Sequence, residues 1–217
     1  MNNLNGFLVI SALIAIFITG CGQAPHIKKL VVGYDTTGSD RAHLGAEVAC
    51  FARETRDLYG VPMTSYRLDD RCVEILDGPA PGRGDDLLRI LKRELSHPPL
   101  HRGTRPSAFW ALAASDVAST DGPAVVILTG DADDDYQSPQ EQRQIAASAR
   151  RIAANPQSVV EFLGIAPDNR ERARQLFSQL GERLILRGPA EVSPRAIDEA
   201  VSAASALHAS AIYPSHS

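Results

Sequence analysis

The chain has 217 residues, with 22 Lys and Arg against 26 Asp and Glu and a net charge of −4. No basic stripe with interleaved aromatics is present, which argues against nucleic acid as a partner. There is no internal repeat and no low-complexity tract, so repeat architectures and biased, disordered sequence are set aside.

The first twenty residues carry no charge, and Phe7 to Thr19 is an almost unbroken apolar run. Such a run is short for a membrane span and ends in small residues, the form of a secretory signal. It closes with Ile18-Thr19-Gly20-Cys21, which resembles the bacterial lipobox, with Ile18 where Leu is commonest and no Lys or Arg in Met1 to Gly6. The resemblance implies a signal peptide over 1–20 and a lipid-modified Cys21 as the first residue of the mature protein. The alternative is an N-terminal anchor helix that is never cleaved. Either one places the rest of the chain outside the cytosol, at a membrane surface of the cell envelope. Gly22 is unlike the usual inner-membrane retention signal, which points to the outer membrane. The mature chain is long enough for one well-buried domain and marginal for two.

Residues 21–29 read as the lipidated Cys and a polar tether, and 30–210 as the domain. Leu30 to Tyr34 is a buried strand by its continuous apolar character. Leu44, Val48, Phe51, Thr55 and Leu58 recur at helical spacing, and Gly60-Val61-Pro62 stops that helix. Met63 to Leu68 and Cys72 to Leu76 flank Asp69-Asp70-Arg71 as a hairpin, which makes the second strand antiparallel. After a Pro- and Gly-rich loop over 78–84, Asp85 to Leu95 and Arg105 to Val117 read as helices, and Ala124 to Thr129 as a second apolar strand. Ser138-Pro139-Gln140-Glu141 supplies an N-cap, a first-turn proline and a capping-box acid. Val159 to Leu163 is a strand, and Asp168 with Glu171 reads as a second capping box ahead of a helix carrying Ala173, Leu176, Phe177 and Leu180. Arg183 to Leu186 is the last strand. Ser193-Pro194 opens a final helix with Ile197, Val201, Ala204 and Leu207 inward.

Strands alternating with helices, two of them wholly apolar, predict a mostly parallel sheet covered on both faces, with the hairpin adding one antiparallel edge strand. Ligands of such sheets bind outside the carboxyl ends of the strands, where the strand order reverses. Both Asp35 to Ser39, after the first strand, and Gly130 to Asp135, after the central one, belong on that edge. With Cys21 acylated, Cys50 and Cys72 remain. An even remainder in an oxidising compartment suggests a disulfide, two separate buried thiols being the alternative.

Asp35, Thr37 and Ser39 alternate where the first strand ends, and can aim three hard oxygens at one Mg²⁺ or Mn²⁺. Their other reading is a helix start, with Ser39 or Asp40 as N-cap. Together with Arg102-Gly103-Thr104 ahead of Phe109-Trp110-Ala111-Leu112, and Asp131 after Leu128-Thr129-Gly130, the pattern resembles a von Willebrand factor A domain. That resemblance implies a Rossmann-like three-layer α/β/α sandwich with a metal-ion-dependent adhesion site. Asp35, Thr37, Ser39 and Thr104 would be its ligands, and Asp131 an acid one residue later than the family places it. Thr104 also suits the N-cap of the helix after it. By the same resemblance the partner is a protein that completes the metal shell with a carboxylate, and the chain is not an enzyme. A metal-free scaffold is the alternative, and a hydrolase the third reading. Against catalysis, the Asp-Thr-Gly-Ser signature of aspartic proteases is interrupted by an extra Thr and has no second copy. Thr37 stands where a phosphotransferase would want a second acid. His97 and His101 bracket two prolines and cannot form a helical zinc pair, and no Gly-rich phosphate loop with its Lys is present.

Overall fold

The computed structural model describes residues 27–36, 58, 60–68, 72–81, 84–96, 106–132 and 138–212. Among these, six strands form one sheet: β1 Lys29–Asp35, β2 Pro62–Leu68, β3 Cys72–Pro79, β4 Ala124–Thr129, β5 Ser158–Leu163 and β6 Leu184–Arg187. Their spatial order is β3-β2-β1-β4-β5-β6. All neighbours are parallel except β2 and β3, which pair antiparallel at one edge. The mixed sheet expected from the alternation of elements is therefore present, with the hairpin strand at its border.

Every residue of β4 and β5 is buried, as a strand sandwiched between two helical layers must be. On one face lie α2 Pro106–Ala118, α3 Pro139–Ala153 and α4 Arg170–Leu176; on the other lie α1 Gly84–Leu95 and α5 Pro194–Ile212. The strand residues alternate between the two cores: Val31, Val126, Leu128, Val160 and Phe162 face the α2–α4 layer, while Leu30, Val32, Val125, Ile127 and Val159 face α1 and α5. The period of two is the pleat itself.

The first core is aromatic. The indole of Trp110 meets the rings of Phe177, Phe109 and Phe162 at centroid separations of 4.5, 4.9 and 5.3 Å. This packing is possible because β1 carries glycine where α2 crosses it. A Cβ on Gly33 would stand 2.8 Å from Phe109 Cε2. In the second core α1 contributes Leu87 and Leu91 one turn apart, and α5 contributes Ala196, Ile197, Ala200, Val201 and Ala204.

Helix ends mostly follow their sequence signals. Ser138 accepts from Glu141 N at 3.2 Å, as an N-cap does. The Glu141 carboxylate, however, reaches across to Ser107 N at 3.0 Å and caps α2 instead of closing its own box. The second capping box does not form. Pro167–Asn169 makes a separate 3₁₀ turn, α4 begins at Arg170, and Glu171 faces Arg174 and Gln175. The helix also stops short of Leu180: after Leu176 the chain tightens into 3₁₀ geometry over Ser178–Arg183, interrupted at Gly181 with φ 56°.

Candidate functional site at the carboxyl edge of the sheet

In an open parallel sheet the loops on either side of the strand-order reversal run in opposite directions and leave a crevice. Here the reversal lies between β1 and β4, and the exit of each strand shows the divergence. Thr36, leaving β1, donates both its backbone N–H and its hydroxyl to the Leu68 carbonyl of β2, at 3.0 and 2.7 Å. Gly130, leaving β4, donates its N–H to the Leu163 carbonyl of β5 at 3.0 Å. Gly164 in turn donates to Arg187 O of β6 at 2.9 Å. So β1 leans one way and β4 the other, and the gap between them opens at the end of β1.

Asp35 is the last residue of β1 and is only 5% exposed. It pairs in register with Leu68 on one side, while Tyr34 pairs with Thr129 of β4 on the other. The acid of the Asp-x-Thr-x-Ser run therefore stands at the crevice, as expected. Its neighbour Thr36, the motif's variable position, is turned toward β2. Thr37, Ser39 and Thr104 lie outside the described residues, as do Cys21 and Cys50. Cys72 opens β3 and is half-buried against the aromatic core.

Asp131 follows a glycine turn at the end of β4. The register between β1 and β4 ends at the Tyr34–Thr129 pair, and the residue that follows on β4 is Gly130, not an acid. Gly130 has φ 128°, a conformation that suits glycine and strains an aspartate. The next two residues are held toward β5 and α4. Asp131 O accepts from Ala166 N at 2.9 Å and from Asn169 Nδ2 at 3.3 Å, and Ala132 takes φ 55°. Asp131, half-buried, thus follows the Gly130 turn with its carbonyl tied to the segment between β5 and α4. Thr129 buries a hydroxyl with no hydrogen-bond partner among the described residues, an unforeseen oxygen at the same edge.

The donors at this edge are hard oxygens, which suit Mg²⁺ or Mn²⁺ and not a soft metal. Among the described residues no three His, Cys, Asp or Glu side chains gather closely enough to hold an ion by themselves. Among the described residues this edge offers the buried Asp35 carboxylate and the Thr129 hydroxyl, a fit to a site with one dominant carboxylate and not to an all-carboxylate cage.

No protein-family model matches the sequence, and no curated protein does. Solved structures do match. A von Willebrand factor type A protein from Catenulispora acidiphila superposes with a TM-score of 0.60 at 14% identity, covering 82% of this chain and 42% of that one. The fold is von Willebrand factor A-like. The von Willebrand factor domain of the type V pili tip protein Mfa5 from Porphyromonas gingivalis gives 0.56 at 10% identity, over 80% of this chain and 93% of that domain. An aerotolerance-related membrane protein from Bacteroides fragilis gives 0.54 at 12%, over 80% and 98%. The chain spans less than half the length of the Catenulispora protein. Among the described residues no helix is long and apolar enough to cross a membrane.

A second polar group lies on the opposite face of the von Willebrand factor A-like sheet, under α5. Glu161, in the middle of β5, has no exposed surface, and its Oε1 accepts from Arg187 Nε at 2.9 Å. Arg187 also binds Glu199 of α5. Burial raises the Glu161 carboxyl to about 7, against the pull of Arg187, which favours the ionised form. The only sequence signal was an acid inside the apolar run Val159 to Leu163. Its cationic partner comes 26 residues later, and no local pattern connects them. Nearby, Glu191 accepts from Gly188 N at 2.6 Å and from Arg170 at 2.7 Å, which lowers its pKa and fixes the loop after β6.

Proposed function

We propose that this chain is a lipid-anchored domain of the bacterial cell envelope that binds a protein partner at the carboxyl edge of its sheet, through a divalent cation. The observation that carries the reading is the placement of Asp35. A buried acid stands at the strand-order reversal, where Thr36 and Gly130 pull their loops apart. In this reading Asp35 supplies the main carboxylate, Thr37, Ser39 and Thr104 supply hydroxyls directly or through water, and Asp131 contributes from the far lip. Neutral hydroxyls leave a bound Mg²⁺ or Mn²⁺ electrophilic, so that it can accept a carboxylate from the partner. Pilus-tip and membrane proteins among the structural matches agree with a binding role at the cell surface. The anchor rests on Cys21 at the end of the apolar leader.

One observation favours a second reading, a metal-free scaffold that uses the same edge: the residue that follows β4 is Gly130, at φ 128°, and the acid Asp131 comes one residue later. Titration calorimetry with Mg²⁺ and Mn²⁺ on the wild type and on Asp35→Ala separates the two. The first reading expects a heat of binding that Asp35→Ala abolishes while the fold persists. No heat from either ion with the wild type at millimolar metal would leave the scaffold.

A further inference from the structure

The seam between β5, β6 and α5 holds a carboxylate for which the carboxyl-edge site has no use. Glu161 lies between Ile127 of β4 and Ile185 of β6, with no exposed surface. Its Oε2 has no hydrogen-bond partner among the described residues. From β6 the charged group facing it is Arg187, which is 21% exposed and reaches from Glu161 to Glu199 of α5. From α5 it is Glu199, which Arg195 approaches at 3.4 Å. From β4 the neighbours are Ile127 and the uncharged Thr129. The rest of the adjoining α5 surface is Ala196, Ile197, Ala200 and Val201.

A buried carboxylate with one oxygen unmet is costly, and the cost is borne by whatever conformation keeps water out. We infer that Glu161 is a proton-controlled clasp, whose ionisation favours opening of α5 from the sheet and whose protonation favours closure. Arg187 is the bridge of the clasp, because it touches both Glu161 of the sheet and Glu199 of the helix. The direction comes from linkage. A conformation that lets water reach Oε2 returns the carboxyl toward its ordinary value of 4.5, whereas the closed seam holds it at about 7. The open form therefore binds the proton less tightly, and rising pH populates it. With those two values the opening constant rises roughly 70-fold from about pH 5 to about pH 8.5 and levels off above that.

Amide hydrogen exchange on the full chain, converted to protection factors at each pH, reads this directly. Protection of α5 amides from Asp198 to Ala204 should fall by tens of fold over that range, while β4 amides keep theirs. Glu161→Gln, which retains an acceptor for Arg187 and cannot ionise, should abolish the pH dependence. Constant α5 protection in the wild type, an equal loss in β4, or an undiminished pH dependence in Glu161→Gln would each overturn the proposal. The comparison of α5 with β4 in the wild type decides even where the variant fails to fold.

Discussion

Replacing Glu161 by Gln changes how the stability of the whole domain depends on pH, and the size of the change can be worked from its surroundings. The carboxyl stands at about 7 in the folded protein against 4.5 for the ordinary group. Below 4.5 both folded and unfolded chains hold the proton, and the residue adds nothing to the pH dependence. Between 4.5 and 7 the folded chain holds it and the unfolded chain has lost it, so stability falls with rising pH by about 1.4 kcal/mol per unit. Above about pH 8 the loss is complete, at about 3 kcal/mol. Urea denaturation from about pH 4 to about pH 8.5 measures it, with Trp110 as the reporter. It is the chain's single tryptophan and has no exposed surface, so unfolding moves it from an aromatic core into water. The difference between Glu161→Gln and the wild type cancels the other titrating groups, including Glu191, whose lowered pKa acts in the opposite sense. The variant should gain on the wild type by about 3 kcal/mol across the range. Parallel curves for the two proteins would refute the burial cost assigned to Glu161.

Three further outcomes are expected. Gly33→Ala puts a Cβ 2.8 Å from Phe109 Cε2 and 3.0 Å from Leu68 Cδ1; it should cost about 1–3 kcal/mol by urea denaturation, part of which Phe109→Leu in the same chain restores. Arg183→Ala removes a guanidinium that donates to the carbonyls of Ala153, Asn155 and Ser158 at 3.1, 2.7 and 3.2 Å. Loss of these bonds at the end of α3 should cost about 1–3 kcal/mol, measured in the same way. Cys21→Ser should release the protein from membranes or leave an uncut precursor, visible by fractionation and gel migration, and unchanged behaviour would refute the lipid anchor.

Much of the fold was legible because burial on both faces writes itself into sequence. Leu30 to Tyr34 and Ala124 to Thr129 have no polar face to show, and both are central strands. Asp35 was legible for the complementary reason, an acid placed where such a strand must end. The position of Asp131 was half legible: the extra glycine was visible, but the tie of Asp131 O to Ala166 and Asn169 depends on a loop more than thirty residues away. The helix after Pro167 departs from its capping-box signal because a separate 3₁₀ turn forms over Pro167–Asn169, leaving Asp168 ahead of the helix and Glu171 inside it. Glu161 shows the limit most plainly. Its environment is built by α5 and β6, distant in sequence, and only their packing turns an ordinary glutamate into a buried one.

The proposed function turns on a divalent ion binding at the crevice beside Asp35. Paramagnetic broadening by Mn²⁺ of assigned amide signals tests this with spatial resolution. Broadening should centre on Asp35, Thr36, Gly130 and Asp131, be reversed by chelator and be absent from Asp35→Ala, with Gly122 and Gln157 at the opposite edge unaffected. Sharp signals throughout at millimolar Mn²⁺, or broadening centred away from Asp35, would contradict it.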